Sequence, residues 1–239
     1  LVANGQYIQH LDSDDLLLPR KFELQVAGLE AHPECGASYG PARWRHRDGS
    51  VDPRPWGRTG ERIDTLFPAM LLSRWWPTPA PLYRASLLQQ TGPWLPLRME
   101  EDWEYDARVA ALGVPLHYVD EPVTEIREHH APNLSGHGLR PDYLRDRAAA
   151  HESIFRSAQR ANLGASPEMQ QFARKLFLLA RQSGAAGLPD EAARLFALAR
   201  EAAGAEAASA QFRIYAALAA LVGWKTAGKL AAMRDSLRW

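Results

Sequence analysis

The chain has 239 residues, about one and a half times a typical domain, which leaves room for one large domain or two unequal ones. With 46% hydrophobic and 23% charged residues it has the make-up of a folded globular protein, which excludes a disordered, collagen-like or linker chain. Its 28 basic residues balance 28 acidic ones, so no global field favours sequence-independent binding, and nucleic acid is not an expected partner.

In chain order, Leu1 to Ala3 followed by Asn4-Gly5 reads as the last turn of a helix closing on a left-handed cap. Gln6 to Leu11 is a predicted strand, followed by the acidic run Asp12-Ser13-Asp14-Asp15 and a helix opened by Pro19 at its first turn. Phe22, Leu24, Val26 and Leu29 carry helical spacing to a stop near Pro33, and a small-residue strand follows at Gly36 to Tyr39, completing a β-loop-α-β unit. Residues 41–62 are rich in Pro, Gly and Arg and read as one long loop. The next elements are a helix near Phe67 to Leu72, a break from Trp76 to Pro81, a strand at Leu82 to Arg84 and a helix from Ala85 closed at Gly92. Glu100-Glu101-Asp102 opens a helix running to Leu112 and closed by Gly113, with strands at Leu116 to Val119 and Val123 to Arg127 after it.

From about Pro141 the composition shifts to Ala, Arg, Leu and Glu in helical spacing, so the fold class is α/β over residues 1–139 and an all-helical extension over 140–239. Gly187, Ala192, Phe196 and Ala199 match the second half of a tetratricopeptide-type repeat, one hairpin of it. The longest apolar stretch, Ile214 to Val222, is well short of the roughly 20 residues a spanning helix requires. A single cysteine, Cys35, excludes an intramolecular disulfide and fits a reducing compartment, so a cytoplasmic location is expected.

Two residue groups carry chemistry. Asp12 and Asp14 alternate at a predicted strand end, where both can turn toward one crevice and hold a hard cation together with substrate phosphates; a solvated acidic turn capping the next helix is the plain alternative. Glu101 and Asp102 stand at a helix start, where acids complement the helix dipole. Trp75 and Trp76 supply either an aromatic platform for a ligand ring or core packing. The arginines of the 41–62 loop, Arg43, Arg45, Arg47, Arg54, Arg58 and Arg62, either meet an anionic acceptor or are solvated beside Asp48, Asp52 and Glu61.

Taken in order, NGQYIQHLDSDDLLLPRKFELQ, the break before Pro81-Leu82-Tyr83-Arg84, the Gly92 turn, EDWEYDARVAALG and IREHHAPNLS resemble the family 2 glycosyltransferases of the GT-A fold. The resemblance runs from residue 1 to about 138 and lacks the family's amino-terminal βαβ portion, which carries most base and ribose contacts. It implies an inverting, metal-dependent transfer of a sugar from a nucleotide-sugar donor to a saccharide, lipid-linked or protein acceptor in polysaccharide, glycolipid or glycoprotein assembly. It further implies Mg²⁺ or Mn²⁺ as cofactor, Asp14 as principal metal ligand with Asp12 beside it and near the ribose, and Asp15 orienting the turn. Asp102 corresponds to the catalytic base, Glu101 to an orienting neighbour, and His129 and His130 to a loop closing over the donor diphosphate. The alternative is a truncated transferase half that acts as a binding or scaffold module through its helical tail. In that tail Trp224, Lys225, Lys229, Arg234, Arg238 and Trp239 follow an apolar helix, and the segment either packs on the protein or touches the inner face of a membrane.

Overall fold

A computed structural model describes residues 3–128 and 139–236, with side chains up to 234. The chain divides into two compact units. One holds the described residues up to Trp94 and those from Tyr105 to 128; the other holds Leu95–Glu104 and the described residues from 139 onward.

The first unit is built on two small sheets. β1 (Tyr7–Gln9), β3 (Ala37–Tyr39), β5 (Leu82–Arg84) and β6 (Leu116–Tyr118) form a four-stranded sheet in the order β1-β5-β3-β6, parallel only between β3 and β6. β2 (Leu16–Leu17), β7 (Thr124–Arg127) and β4 (Ala42–Arg45) form a three-stranded sheet in the order β2-β7-β4, in which β4 and β7 are parallel. Ala37, Ser38 and Tyr39 are all fully buried, as expected of an internal strand, and the small residues at 37 and 38 let a helix lie close. That helix is α1 (Lys21–Ala31), and a Cβ on its Gly28 would overlap the His117 imidazole of β6. The helix α2 (Ala85–Thr91) ends at Gly92, whose φ of +83° is the left-handed closure expected there.

Several expectations are corrected. Asn4 and Gly5 do not have the left-handed φ of a helix cap. Pro19 does not open α1; it sits in the turn ahead of it, and Leu16–Leu17 before it pairs with β7, a two-residue strand too short to leave a pattern. The segment read as one loop from 41 to 62 begins with β4, whose apolar-polar alternation of Ala42, Arg43, Trp44 and Arg45 is too short to stand out in a stretch rich in Pro, Gly and Arg. The helix expected near 67–72 is a single 3₁₀ turn, Ala69–Leu71.

Lys21 is the one buried lysine of the described residues, with no carboxylate beside it. Its Nζ donates to Gln25 Oε1 at 2.5 Å and to the Ala80 carbonyl at 2.8 Å, and Gln25 Nε2 donates to the Ser38 and Ala80 carbonyls at 2.7 and 3.0 Å. These bonds tie the Trp76–Pro81 break to α1. Burial takes the Lys21 ammonium down to about 7, whereas in the unfolded chain it titrates near the ordinary lysine value. Above pH 7 the unfolded chain therefore holds the extra proton, and stability rises with pH between about 7 and 10 by about 1 kcal/mol per pH unit. Thermal unfolding followed by circular dichroism from pH 6.5 to 9.5 is expected to show that rise, and Lys21→Met is expected to flatten it; an equal slope in the variant would remove Lys21 as its source.

The second unit is helical: α4 (Pro141–Arg160), α5 (Pro167–Ala185), α6 (Pro189–Ala203) and α7 (Ala210–Ser236), the last broken at Gly223, φ +78°. Pro stands in the first turn of α4, α5 and α6, where its missing N–H costs nothing, and Ser166 caps α5 by accepting from Met169 N–H. Gly187, φ +83°, closes the turn between α5 and α6, and Ala192, Phe196 and Ala199 lie on the buried face of α6. Phe177, Phe196, Phe212 and Tyr215 stack into one aromatic cluster with Trp224, whose ring is 5.3 Å from that of Phe196. Trp224 is thus engaged in packing, while Arg238 and Trp239 lie outside the described residues. No helix among the described residues is long and apolar enough to cross a membrane.

Candidate functional site

The acidic run is a tight turn between β1 and β2, closed by Asp15 N–H donating to the Asp12 carbonyl at 3.2 Å. Asp12, Ser13 and Asp14 are exposed and Asp15 is half-buried. β1 ends at Gln9, so the expectation that Asp12 and Asp14 alternate on a strand is corrected: turn geometry, not the two-residue period of a strand, brings both carboxylates onto one exposed corner. Asp15 Oδ1 accepts from Arg127 N–H at 3.3 Å, and Arg127 Nε donates to the Asp14 carbonyl at 2.5 Å. Thr124 Oγ1 donates to the Leu16 carbonyl at 2.6 Å, and Leu18 N–H to the Val123 carbonyl. The corner is thereby fastened to β7 on its carboxyl side.

Beyond β7 the chain enters the segment that holds His129 and His130, and these two lie outside the described residues. Among the described residues no group of three or more His, Cys, Asp or Glu is placed to hold a metal. Mg²⁺ or Mn²⁺ bound with a nucleotide diphosphate needs only one or two carboxylates, the rest of the shell coming from phosphate and water. Two exposed carboxylates on one fixed corner, both hard oxygen donors, fit that requirement.

Behind the corner lies an aromatic frame. The His10 ring is 5.7 Å from Tyr83, 5.1 Å from Trp94 and 5.7 Å from Tyr105, with Trp94 and Tyr105 stacked at 4.5 Å. Burial lowers the His10 imidazole below its ordinary value against the pull of Asp12, so it is neutral at pH 7. Tyr83 Oη and Trp76 Nε1 donate to the two oxygens of Asp106, at 2.7 and 2.9 Å. Asp106 is 4% exposed, and burial followed by this carboxylate raises the Tyr83 phenol well above its ordinary value. Sequence reasoning missed Asp106; the one signal was its place in EDWEYD, a helical turn after Asp102. Trp75 and Trp76 are 1% and 0% exposed, which decides between the two readings of that pair in favour of core packing. The other tryptophans of this unit are Trp44 and Trp56, which are half-buried, and Trp94, which is exposed.

In the other unit, Glu101 and Asp102 form the first turn of α3 (Glu101–Ala110), and both are half-buried. Asp102 Oδ1 accepts from Trp103 N–H at 2.6 Å. The residue ahead of them, Glu100, has φ +61°, a left-handed conformation that costs a non-glycine residue about 1 kcal/mol or more. Its carboxylate accepts from Arg147 Nε at 3.0 Å and lies 2.9 Å from His151 Nδ1. Burial works to raise the Glu100 carboxyl, but the His151 imidazole and the Arg147 guanidinium outweigh it and hold the group below the ordinary glutamate range. Glu104, fully buried, accepts from Ser153 Oγ at 2.6 Å, and His151 stacks on Phe172 with Trp103 at its edge. Polar groups of α4 thus clamp the residues on either side of Glu101 and Asp102.

The short mixed sheets with their flanking helices make a GT-A-like fold, similar to that of structures of S. aureus TarS: residues 1–349 in complex with UDP-GlcNAc (15% identity, TM-score 0.51, 82% of this chain and 60% of that one) and in complex with UDP (15%, 0.53, 82% and 59%). A further TarS structure matches over 82% of this chain and 36% of its own, at 17% identity and a TM-score of 0.53. The chain therefore spans about 60% of the shorter TarS chains and about a third of the longer one. No protein-family model and no curated protein matches the sequence.

Proposed function

We propose that the chain serves a glycosyltransferase reaction that moves a sugar from a nucleotide-sugar to an acceptor hydroxyl, with inversion and with a divalent cation. The observation that carries the reading is the exposed Asp12–Asp14 corner fastened to β7, in a chain with the fold of a protein crystallised with UDP-GlcNAc. Asp14 and Asp12 would hold Mg²⁺ or Mn²⁺, which supplies neutralisation of the charge that builds on the departing diphosphate. Asp15 keeps the corner in place through Arg127. Asp102 accepts the proton of the acceptor hydroxyl as that oxygen attacks the anomeric carbon from the face opposite the diphosphate. Glu101 orients the acceptor beside it, and His129 and His130 cover the donor diphosphate. The acceptor belongs to polysaccharide, glycolipid or glycoprotein assembly, and a peripheral contact of the basic tail with the inner face of the cytoplasmic membrane would bring a lipid-linked one within reach.

Calorimetric titration of the full-length natural protein with UDP-GlcNAc, with and without Mn²⁺, tests the donor side. Asp14→Ala is expected to abolish the Mn²⁺-dependent part of binding, and Asp12→Ala to weaken it by less. Unchanged metal dependence in Asp14→Ala would remove Asp14 from the site.

A further inference from the structure

The segment from 42 to 61 forms a cleft of about 720 Å³, which is within the range of sites that hold small molecules. We propose that this cleft binds a ring of a neutral, hydroxyl-rich saccharide; that the saccharide is the acceptor rests on the transferase reading above.

The cleft is built rather than loose. Asp52 N–H donates to the Trp44 carbonyl at 2.9 Å, Trp56 N–H to the Ala42 carbonyl at 2.8 Å, and Arg45 and Val51 form a bridge. The fully buried Thr59 hydroxyl accepts from Ala42 N–H at 3.0 Å and donates to the Trp56 carbonyl at 2.7 Å. These bonds knit the segment onto β4, so binding a ligand there costs little ordering.

Its lining has two kinds of group. Trp44 and Trp56 are half-buried indoles, and Asp52, Arg54, Arg58 and Glu61 are polar. A sugar ring has an apolar C–H face, which suits an indole, and an edge of paired hydroxyls, which suits the planar forks of carboxylate and guanidinium. Charge decides between ligand classes. The lining's two acids, Asp52 and Glu61, balance its two arginines, Arg54 and Arg58, and Glu61 is paired with Arg58 at 2.7 Å, so little net attraction remains for a diphosphate or a polyanion. The compensated groups still offer hydrogen bonds. Arg58 is also held in place by the face of the buried Trp75, 4.0 Å away. An aromatic floor, fixed polar forks and near-neutral charge together match a neutral saccharide and not the nucleotide.

The test passes the chain over immobilised neutral oligosaccharides built from glucose, galactose and N-acetylglucosamine, and over acidic ones built from uronic acids or sugar phosphates. The wild-type chain is expected to be retained on at least one neutral oligosaccharide. Trp44→Ala is expected to weaken that retention about tenfold, and Arg54→Ala, at an exposed position that the fold does not need, to weaken it as well. Thermal midpoints establish that each variant is folded. No retention on any neutral oligosaccharide, retention on acidic ones alone, or equal retention by the folded variants would overturn the proposal. UDP-GlcNAc titrated separately keeps the two readings apart: retention on a neutral sugar without donor binding would sustain the cleft and bring down the transferase.

Discussion

Asp102→Asn is expected to leave nucleotide-sugar binding in place and to lower sugar transfer by about 10²–10⁴-fold. The substitution keeps the size of the side chain and an oxygen able to accept from Trp103 N–H, the 2.6 Å bond that Asp102 makes in the first turn of α3. It removes basicity alone. If the carboxylate only complements the helix terminus, Asn serves nearly as well and turnover stays close to normal. Donor affinity, thermal midpoint and turnover measured together separate the cases. Turnover within a few-fold of wild type would take Asp102 out of the base role, and Glu101→Gln would then be the variant to measure.

Gly184→Val is expected to lower the thermal midpoint of the helical unit by about 10 °C or more. A Cβ at Gly184 of α5 would lie 2.5 Å from the Trp224 carbonyl oxygen of α7. A Cβ at Gly228 would meet the backbone of α5 in turn, 2.6 Å from the Gly184 carbonyl carbon and 2.8 Å from the Arg181 carbonyl oxygen. Backbone faces backbone here, with no flexible side-chain end to yield, so the helices must separate or bend. The comparison is Gly164→Ala, a position where an added Cβ meets nothing within 4 Å, which is expected to leave the midpoint within about 2 °C of wild type. Equal midpoints for Gly184→Val and the wild type would mean that α5 and α7 do not approach this closely.

The sequence by itself determined the elements whose signals are local. Gly92 and Gly113 end α2 and the helix of the acidic pair because a left-handed φ is cheap for glycine, and both are left-handed in the structure. Proline and serine mark helix starts after residue 140, and the strand at Leu82–Arg84 coincides with its expected span. The candidate site residues were legible only as an ordered set of motifs, since two aspartates or an acid pair at a helix start have ordinary structural uses. What the tertiary structure alone decided concerns partners distant in the chain. β2 and β4 exist because β7, about 80 to 110 residues later, offers them its edges, and two to four residues rich in leucine or arginine carry no periodic signal of their own. Asp106 became a buried acceptor for Trp76 and Tyr83, Lys21 a buried donor to Ala80, and Glu100 a strained residue held by Arg147 and His151. A charged residue reads as solvent-exposed in any single-chain pattern, and burial becomes tolerable only when folding delivers its hydrogen-bond partners.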